Sequence, residues 1–363
     1  MIIAAVGDIM PGGVLHGREG QFVSDDVLAF LQQADIRVGT LETAVGDVPS
    51  FYKEKMDRKA DVIYVKDDDL KRLVELDINI VSLANNHFFD LGPDGAIHAM
   101  ELLDSLGIHH CGAGRNLEEA SRPVVFEKDG ESIAFLAFCD WREETVGWCP
   151  FATETDPGVN PMFDDYVVEQ ILKCKRQYDY VAVIPHWGKE HTFITTKPVY
   201  ELANRMIDAG ADIILGGHTH RIQPVVRKQN AIIAYSLGNF FFPDRLITSP
   251  RSSFYPENPI DYEALPITDG YPFVSETTLK IWKPFARIGE IVSVVIDNGK
   301  PTTRTDYVRL DGCNVLRKIA LPFPISLLLG WQVLWLVFLP YSAYVLFITR
   351  IRKIAKRLLH RRY

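Results

Sequence analysis

Short apolar runs alternate with amphipathic stretches along most of the chain, and their periods separate strands from helices. Ile2–Gly7, Ile36–Leu41, Ile78–Ala84, Tyr180–Ile184 and Asp212–Leu215 are brief apolar runs that predict strands. Ser24–Ala34 predicts a helix, with Ser24 placed to cap it, Asp25 and Asp26 in its first turn, and Val27, Leu28 and Leu31 on one stripe. Further helices are predicted at Asp67–Leu76, at Val167–Arg176 and at Val199–Ala209. Pro93–Leu106 starts on a proline and stops before Gly107, the usual punctuation of a helix. Pro123–Glu127 and Ser132–Phe138 flank Asp129-Gly130, a hairpin signal, while Ile232–Ser236 and Glu290–Ile296 add two strands, the second before Asn298-Gly299. No internal repeat interrupts this order. Strands alternating with helices, with hairpins mixed in, imply an α/β class with one sheet, or two packed sheets, covered by helices.

The polar residues fall at regular places in this pattern. Asp8, Glu42, Asn86, His186, His218 and His220 each lie just beyond an apolar strand. Taken singly, each has an ordinary role: a carboxylate there caps a helix, Asn-Asn makes a turn, and a histidine is a satisfied structural group. In open α/β sheets, however, ligands bind outside the carboxyl ends of the strands. Six such groups at equivalent strand ends can converge although they are spread over more than 200 residues. Carboxylate, amide and imidazole donors of this kind suit Mn, Fe or Zn, and no cysteine is placed to favour a thiolate site.

The ordered motifs Gly7-Asp8-Ile9-Met10, Leu41-Glu42, Leu83-Ala84-Asn85-Asn86-His87, His186-Trp187-Gly188, Gly216-Gly217-His218-Thr219-His220 and Ser236-Leu237-Gly238-Asn239-Phe240 resemble the CapA-type proteins of capsule and poly-γ-glutamate synthesis. That family is similar to the calcineurin-like metallophosphoesterases. The resemblance covers roughly residues 2–240. It implies a metallophosphatase-like four-layer αββα sandwich holding one or two divalent metal ions. One would be held by Asp8, Glu42 and His220, the other by Glu42 as bridge with Asn86, His186 and His218. His87 would sit beside the substrate as a catalytic acid, since a histidine titrates near the operating pH. Asp90 is expected either to orient an imidazole there or to cap a helix. The remaining motif members Asn85, Trp187 and Asn239 are expected to contact substrate. Two positions depart from the phosphoesterase pattern, both as in the CapA pattern. Where such enzymes usually carry histidine two residues after the first aspartate, this chain has Met10, a thioether and so a poor donor to a hard divalent ion. Glu42 stands where they more often have Asp.

Two loops extend the expectation. Residues 243–275 are interrupted by prolines and carry Phe254, Tyr255 and Tyr262 after Phe241 and Phe242, which suggests a lid or polymer groove, or a surface insertion without a role. The loop 140–163, with Trp141 and Trp148, invites the same two readings.

The end of the chain has a different character. From Ile319 to Thr349 there are 31 residues without a charged side chain, enough for a transmembrane or re-entrant segment, with Trp331 and Trp335 suited to an interface. In residues 350–363 seven Lys/Arg and no acid accompany Ile351, Ile354, Ala355, Leu358 and Leu359 at helical spacing, a basic amphipathic tail suited to anionic lipid. The whole chain carries −8, so residues 1–349 carry −15 once the seven basic groups of the tail are set aside. An acidic body argues against nucleic acid as a partner. Five scattered cysteines (Cys111, Cys139, Cys149, Cys174 and Cys313) without a C-x-x-C read as free thiols. Met1 runs straight into a strand with no basic n-region, so no secretory signal is read there. Basic residues after the apolar run place the C-terminus in the cytoplasm, and the expected location is the cell membrane with a cytoplasm-facing body.

The expected organisation is therefore a 1–318 metallophosphatase-like body, a 319–349 hydrophobic segment and a 350–363 tail. Two function classes follow: a membrane-anchored metallohydrolase acting on a phosphoester or similar bond, or a non-catalytic component that holds an anionic envelope polymer beside membrane synthase partners.

Overall fold

A computed structural model describes residues 1–47, 62–140, 149–248, 252–258, 260–270, 274–297 and 299–338. Trp141, Trp148 and the basic tail of residues 350–363 lie outside the described residues.

Two sheets face one another. In the larger, strand Ile2–Ile9 is parallel to Ile36–Leu41, which is followed by Ile80–Ser82 and His109–Cys111, all parallel. Its other flank is antiparallel, running through Ile288–Asp297, Lys300–Leu310 and Leu316–Ile319. The short strand Asn239–Phe241 also pairs with the end of Ile2–Ile9, which sets Asp8 opposite Asn239. The second sheet runs Val225–Lys228, Ala231–Ala234, Ile213–Leu215, Tyr180–His186, Glu131–Cys139 and Val124–Lys128, parallel across its four central strands.

The period of two in a strand explains how the layers stack. Ile133, Phe135 and Ala137 join the core shared with the larger sheet, together with Ala182, Ile184, Ile213 and Ile232. Their alternate neighbours Ala134, Leu136, Val181, Val183, Ile214 and Ile233 face the other way. There they meet Val167 and Ile171 of helix Asp164–Lys175 and Leu202, Ala203 and Met206 of helix Lys197–Asp208. Val27 and Leu31 of helix Asp25–Leu31 and Ala96, Ala99 and Leu103 of helix Gly92–Ser105 are buried with the larger sheet. Sheets apolar on both faces must be covered on both, so helices complete the outer layers.

Several local readings change. Ser24 occupies the cap position, but its hydroxyl donates to Asp26 Oδ1 (2.5 Å) and does not cap a helix N–H. Asp67–Leu76 divides into a 3-10 turn, Asp67–Leu70, and one α-helical stretch, Lys71–Glu75. The expected 243–275 loop is part of a small sheet of Ser252–Ser253, Arg245–Thr248, Thr278–Lys280 and Ile267–Thr268. Phe241 and Phe242 belong to the core and offer no stacking face to a ligand.

The apolar run at the C-terminus is also placed differently. Among the described residues no helix is long and apolar enough to cross a membrane. The run begins inside strand Leu316–Ile319 and continues into helix Phe323–Phe338, which has 16 residues. Ile325 and Leu329 pack on Ile222 and Ile288, Leu336 joins the core over the second sheet, and Gln332 Nε2 donates to Phe193 O (2.9 Å). A stretch read as lipid-facing thus has one face docked on the body, while Leu327 and Trp331 are exposed.

Candidate metal centre

Parallel strands deliver their C-terminal ends to one side of a sheet, and both sheets do so here. Asp8 is at the end of Ile2–Ile9, and Glu42 follows Ile36–Leu41 directly. Asn86 follows Ile80–Ser82, His186 is the last residue of Tyr180–His186, and His218 and His220 follow Ile213–Leu215. The loop carrying the last pair is held by close backbone approaches. A Cβ on Gly217 would sit 2.6 Å from Asp8 Oδ1, so only glycine lets the carboxylate reach the His218 N–H, which donates to Asp8 Oδ2 (3.1 Å). His218 and His220 both have positive φ (85° and 50°), a strained setting for non-glycine residues that turns successive imidazoles into the same site.

The six groups converge. Glu42, His186 and His218 form one set whose ligand atoms lie within 4.8 Å of each other, and Asp8, Glu42 and His220 form a second. In the first, His186 Nε2 is 3.2 Å from His218 Nδ1, 2.9 Å from Asn86 Oδ1 and 3.4 Å from Glu42 Oε1. In the second, His220 Nδ1 is 3.8 Å from both Asp8 Oδ2 and Glu42 Oε2. Donors that share one ion at about 2.0–2.2 Å stand roughly 3–3.5 Å apart, so the first set has this spacing and the second is slightly wider.

The electrostatics favour cations. Asp8 and Glu42 are wholly buried; burial, then the neighbouring Glu42 charge, raises the Asp8 carboxyl well above its usual range. Burial lowers His186 to about 3, and burial first, then nearby histidines, lowers His218 and His220 well below the ordinary histidine value. Neutral imidazoles beside crowded carboxylates are metal donors. Asp8 Oδ1, His186 Nδ1 and His218 Nε2 have no hydrogen-bond partner among the described residues. The donor set thus fits one or two divalent ions of the Mn, Fe or Zn type with Glu42 between them.

Neighbouring residues take distinct parts. His87 Nδ1 pairs with Asp90 Oδ2 (2.7 Å), which also accepts from Ile63 N (2.7 Å). The segment is a turn and not a helix, yet Asp90 reaches back to His87 and holds it. Met10 is fully buried, and its Cε lies 3.2 Å from the place of a Cβ on Gly13.

The three residues expected to contact substrate are placed as follows. Asn85 is fully buried; its Nδ2 donates to Leu41 O (2.8 Å) and its Oδ1 accepts from His87 N (3.0 Å), so it braces the loop. Trp187 is buried and its Nε1 donates to Tyr235 O (2.8 Å), which makes it a strut between strands. Asn239 is buried too, with Nδ2 donating to Ala286 O (2.9 Å) and Oδ1 2.8 Å from His220 Nδ1. Its side chain thus meets one of the candidate ligand histidines.

The sequence reading missed the surroundings of His220. His191, Phe242 and Trp282 pack around its ring, with Trp282 at 4.9 Å between centroids. Arg221 follows the Gly-Gly-His-Thr-His motif directly and could have been found by extending it; Trp282 is distant in sequence and carried no signal.

A buried cluster of carboxylates, imidazoles and an amide at the strand ends of a two-sheet α/β fold makes a candidate metal-binding site. Residues 2–244 match the family described as bacterial capsule synthesis protein PGA_cap, and the chain belongs to that family. It is 30% identical over 254 residues to the PGA biosynthesis protein CapA of Bacillus subtilis, covering 68% of this chain and 64% of that protein. It is 31% identical over 250 residues to the capsule biosynthesis protein CapA of Bacillus anthracis, covering 67% and 60%. The chain thus spans somewhat less than two thirds of these relatives. Among solved structures it is similar to a putative 5'-nucleotidase from Staphylococcus aureus (TM-score 0.48, 12% identity, 92% of this chain and 58% of that one). It is also similar to the calcineurin-like phosphoesterase YfkN from Bacillus subtilis (TM-score 0.45, 14% identity, 92% and 96%).

Proposed function

We propose that this chain is a metal-dependent hydrolase of capsule-polymer metabolism, of the poly-γ-glutamate type, cleaving a phosphoester or similar bond. The observation that carries this reading is the convergence of Asp8, Glu42, His186, His218 and His220 in two overlapping donor sets, with Asn86 Oδ1 2.9 Å from His186 Nε2. Divalent ions held there supply Lewis acidity and bring the pKa of water toward neutrality. The chain's own residues supply the rest. Asp90 holds the His87 ring through Nδ1, and that imidazole is the proton donor to the leaving group. Asn85 holds the His87 backbone, so the acid and the ligand Asn86 move as one unit.

A second reading, a metal-holding scaffold that binds an anionic chain without turnover, is favoured by Met10, which removes an expected donor from the first ion. Metal analysis of the purified protein, with a phosphoester screen in Mn, Fe and Zn, separates the two. Turnover that follows metal loading supports the hydrolase; stoichiometric metal with no turnover supports the scaffold.

Attachment to the cell membrane through the apolar run, with a cytoplasm-facing body beside membrane synthase partners, belongs to the same proposal. It rests on the uncharged stretch and the basic residues after it. Labelling of engineered surface cysteines on intact cells with an impermeant reagent tests the side: a body labelled before lysis overturns the cytoplasmic placement.

A further inference from the structure

Beside the ring of His220 the surface opens into a cleft of about 250 Å³, lined by His191, Arg221, Asp269, Lys280, Trp282 and Lys283. Three cations face one carboxylate there, in a body whose net charge is strongly negative. Arg221 and Lys280 are almost wholly buried. Arg221 Nη1 donates to His220 O (2.7 Å), which ties the guanidinium to the metal-site loop. Lys280 Nζ donates to Gly270 O (2.7 Å) and lies 5.7 Å from the centre of the Trp282 ring. A concave, partly desolvated wall concentrates the field of these cations.

We propose that this cleft is a subsite for a carboxylate group of an amide-linked polyanionic chain, held next to the metal centre. Its volume is below the range for drug-sized ligands and suits one side-chain-sized group. Trp282 offers an apolar ring for the methylene stem of such a group, and the lysines and arginine meet its charge. Asp269 provides an acceptor for an amide N–H of the chain, a group that lies beside the carboxylate in such a polymer. The segment of residues 243–275, suspected as a polymer groove, contributes Asp269 and Gly270 to this wall. The placement of the scissile bond rests on the hydrolase reading above; the binding does not.

The test uses the full chain, first stripped of metal with EDTA and then reloaded with Mn²⁺, and titrates it with a γ-linked glutamate pentamer by calorimetry. Inorganic phosphate is the competing anion. The pentamer is expected to bind in both states and to weaken as salt rises. Lys283→Gln, at an exposed position, should weaken it at least fivefold, and Lys280→Met should weaken it further. Phosphate should displace it only at a large excess. Binding unchanged in both variants, no binding of the pentamer, or displacement by equimolar phosphate overturns the assignment. A protein that binds the pentamer through these lysines but hydrolyses nothing keeps the subsite and loses the hydrolase reading. One that turns over phosphoesters without binding the pentamer does the reverse.

Discussion

Asn86 Oδ1 stands 2.9 Å from His186 Nε2 although the two residues are 100 positions apart. The first follows a strand of the larger sheet and the second ends a strand of the smaller one. The contact joins the two sheets at the candidate metal site, so an ion bound there would tie one sheet to the other. Restoring Mn or Zn to stripped protein should therefore raise the melting temperature. At a hundredfold excess over the dissociation constant the gain is about 2.7 kcal/mol. His186→Ala should remove most of that gain, as followed by calorimetry with and without EDTA. An identical metal-induced shift in wild type and variant would mean that the ion does not sit between the sheets.

The buried pair His87–Asp90 is expected to act in chemistry and not in metal retention. His87→Ala should lower kcat by roughly 10²–10⁴-fold, the usual worth of a positioned acid, with metal content unchanged. Asp90→Asn should move the pH profile of kcat, because it alters the partner of Nδ1. Metal analysis and a pH–rate profile read these two effects separately. Loss of metal in the His87 variant would reassign that residue as a ligand.

Asn239 should tune the metal through His220. Its amide is anchored by Ala286 O, and its Oδ1 fixes the orientation of the His220 ring. Removing a residue that orients a ligand commonly costs 10–100-fold in metal affinity. Asn239→Ala should show a loss of that size at one ion and little at the other, measured by competition with a chelator.

Much of this arrangement was legible in the chain. The six donors could be placed because each follows an apolar run, and strand ends in parallel sheets share one side. The roles of Asn85, Trp187 and Asn239 were not legible. They sit in the same motifs as the candidate ligands, and the partners of their polar atoms come from distant parts of the chain. Trp282 packs on the His220 ring, and Lys280 lies over Trp282, through tertiary packing that carries no motif of its own. The apolar run shows another limit. One face of its first half packs on the protein, and a period count cannot tell a protein face from a lipid face.

Glu290 gives a stability prediction away from the metal. It is buried, its Oε2 has no hydrogen-bond partner among the described residues, and burial raises its carboxyl well above the usual value. The fold therefore favours the protonated form. Its stabilising effect is complete below the unfolded pKa of about 4.3 and is lost as pH rises through the raised folded value. Glu290→Gln keeps the shape and removes the charge. It should stabilise the protein at pH 7–8 by on the order of 1 kcal/mol or more and leave it unchanged near pH 4. Denaturant melts across that range check it; equal slopes with pH in both proteins would rule it out.

Helix Phe323–Phe338 makes the point of truncation decisive. Ending the chain after residue 338 leaves Ile325, Leu329, Gln332 and Leu336 docked on the body. Ending it at residue 318 removes them and cuts the last residue from strand Leu316–Ile319. Burying an apolar side chain of this size is worth about 1.5–3 kcal/mol, so losing three costs on the order of 5 kcal/mol and exposes Ile222 and Ile288. The 1–338 protein should therefore fold with its metal site intact, while the 1–318 protein should melt much lower or aggregate. If the remaining apolar residues anchor the chain, the full-length protein should stay with membranes through salt and carbonate washes, and the 1–338 form should not. Release of the full-length protein by salt alone would leave attachment to the basic tail, since surface charge contributes about 1 kcal/mol per residue and is screened.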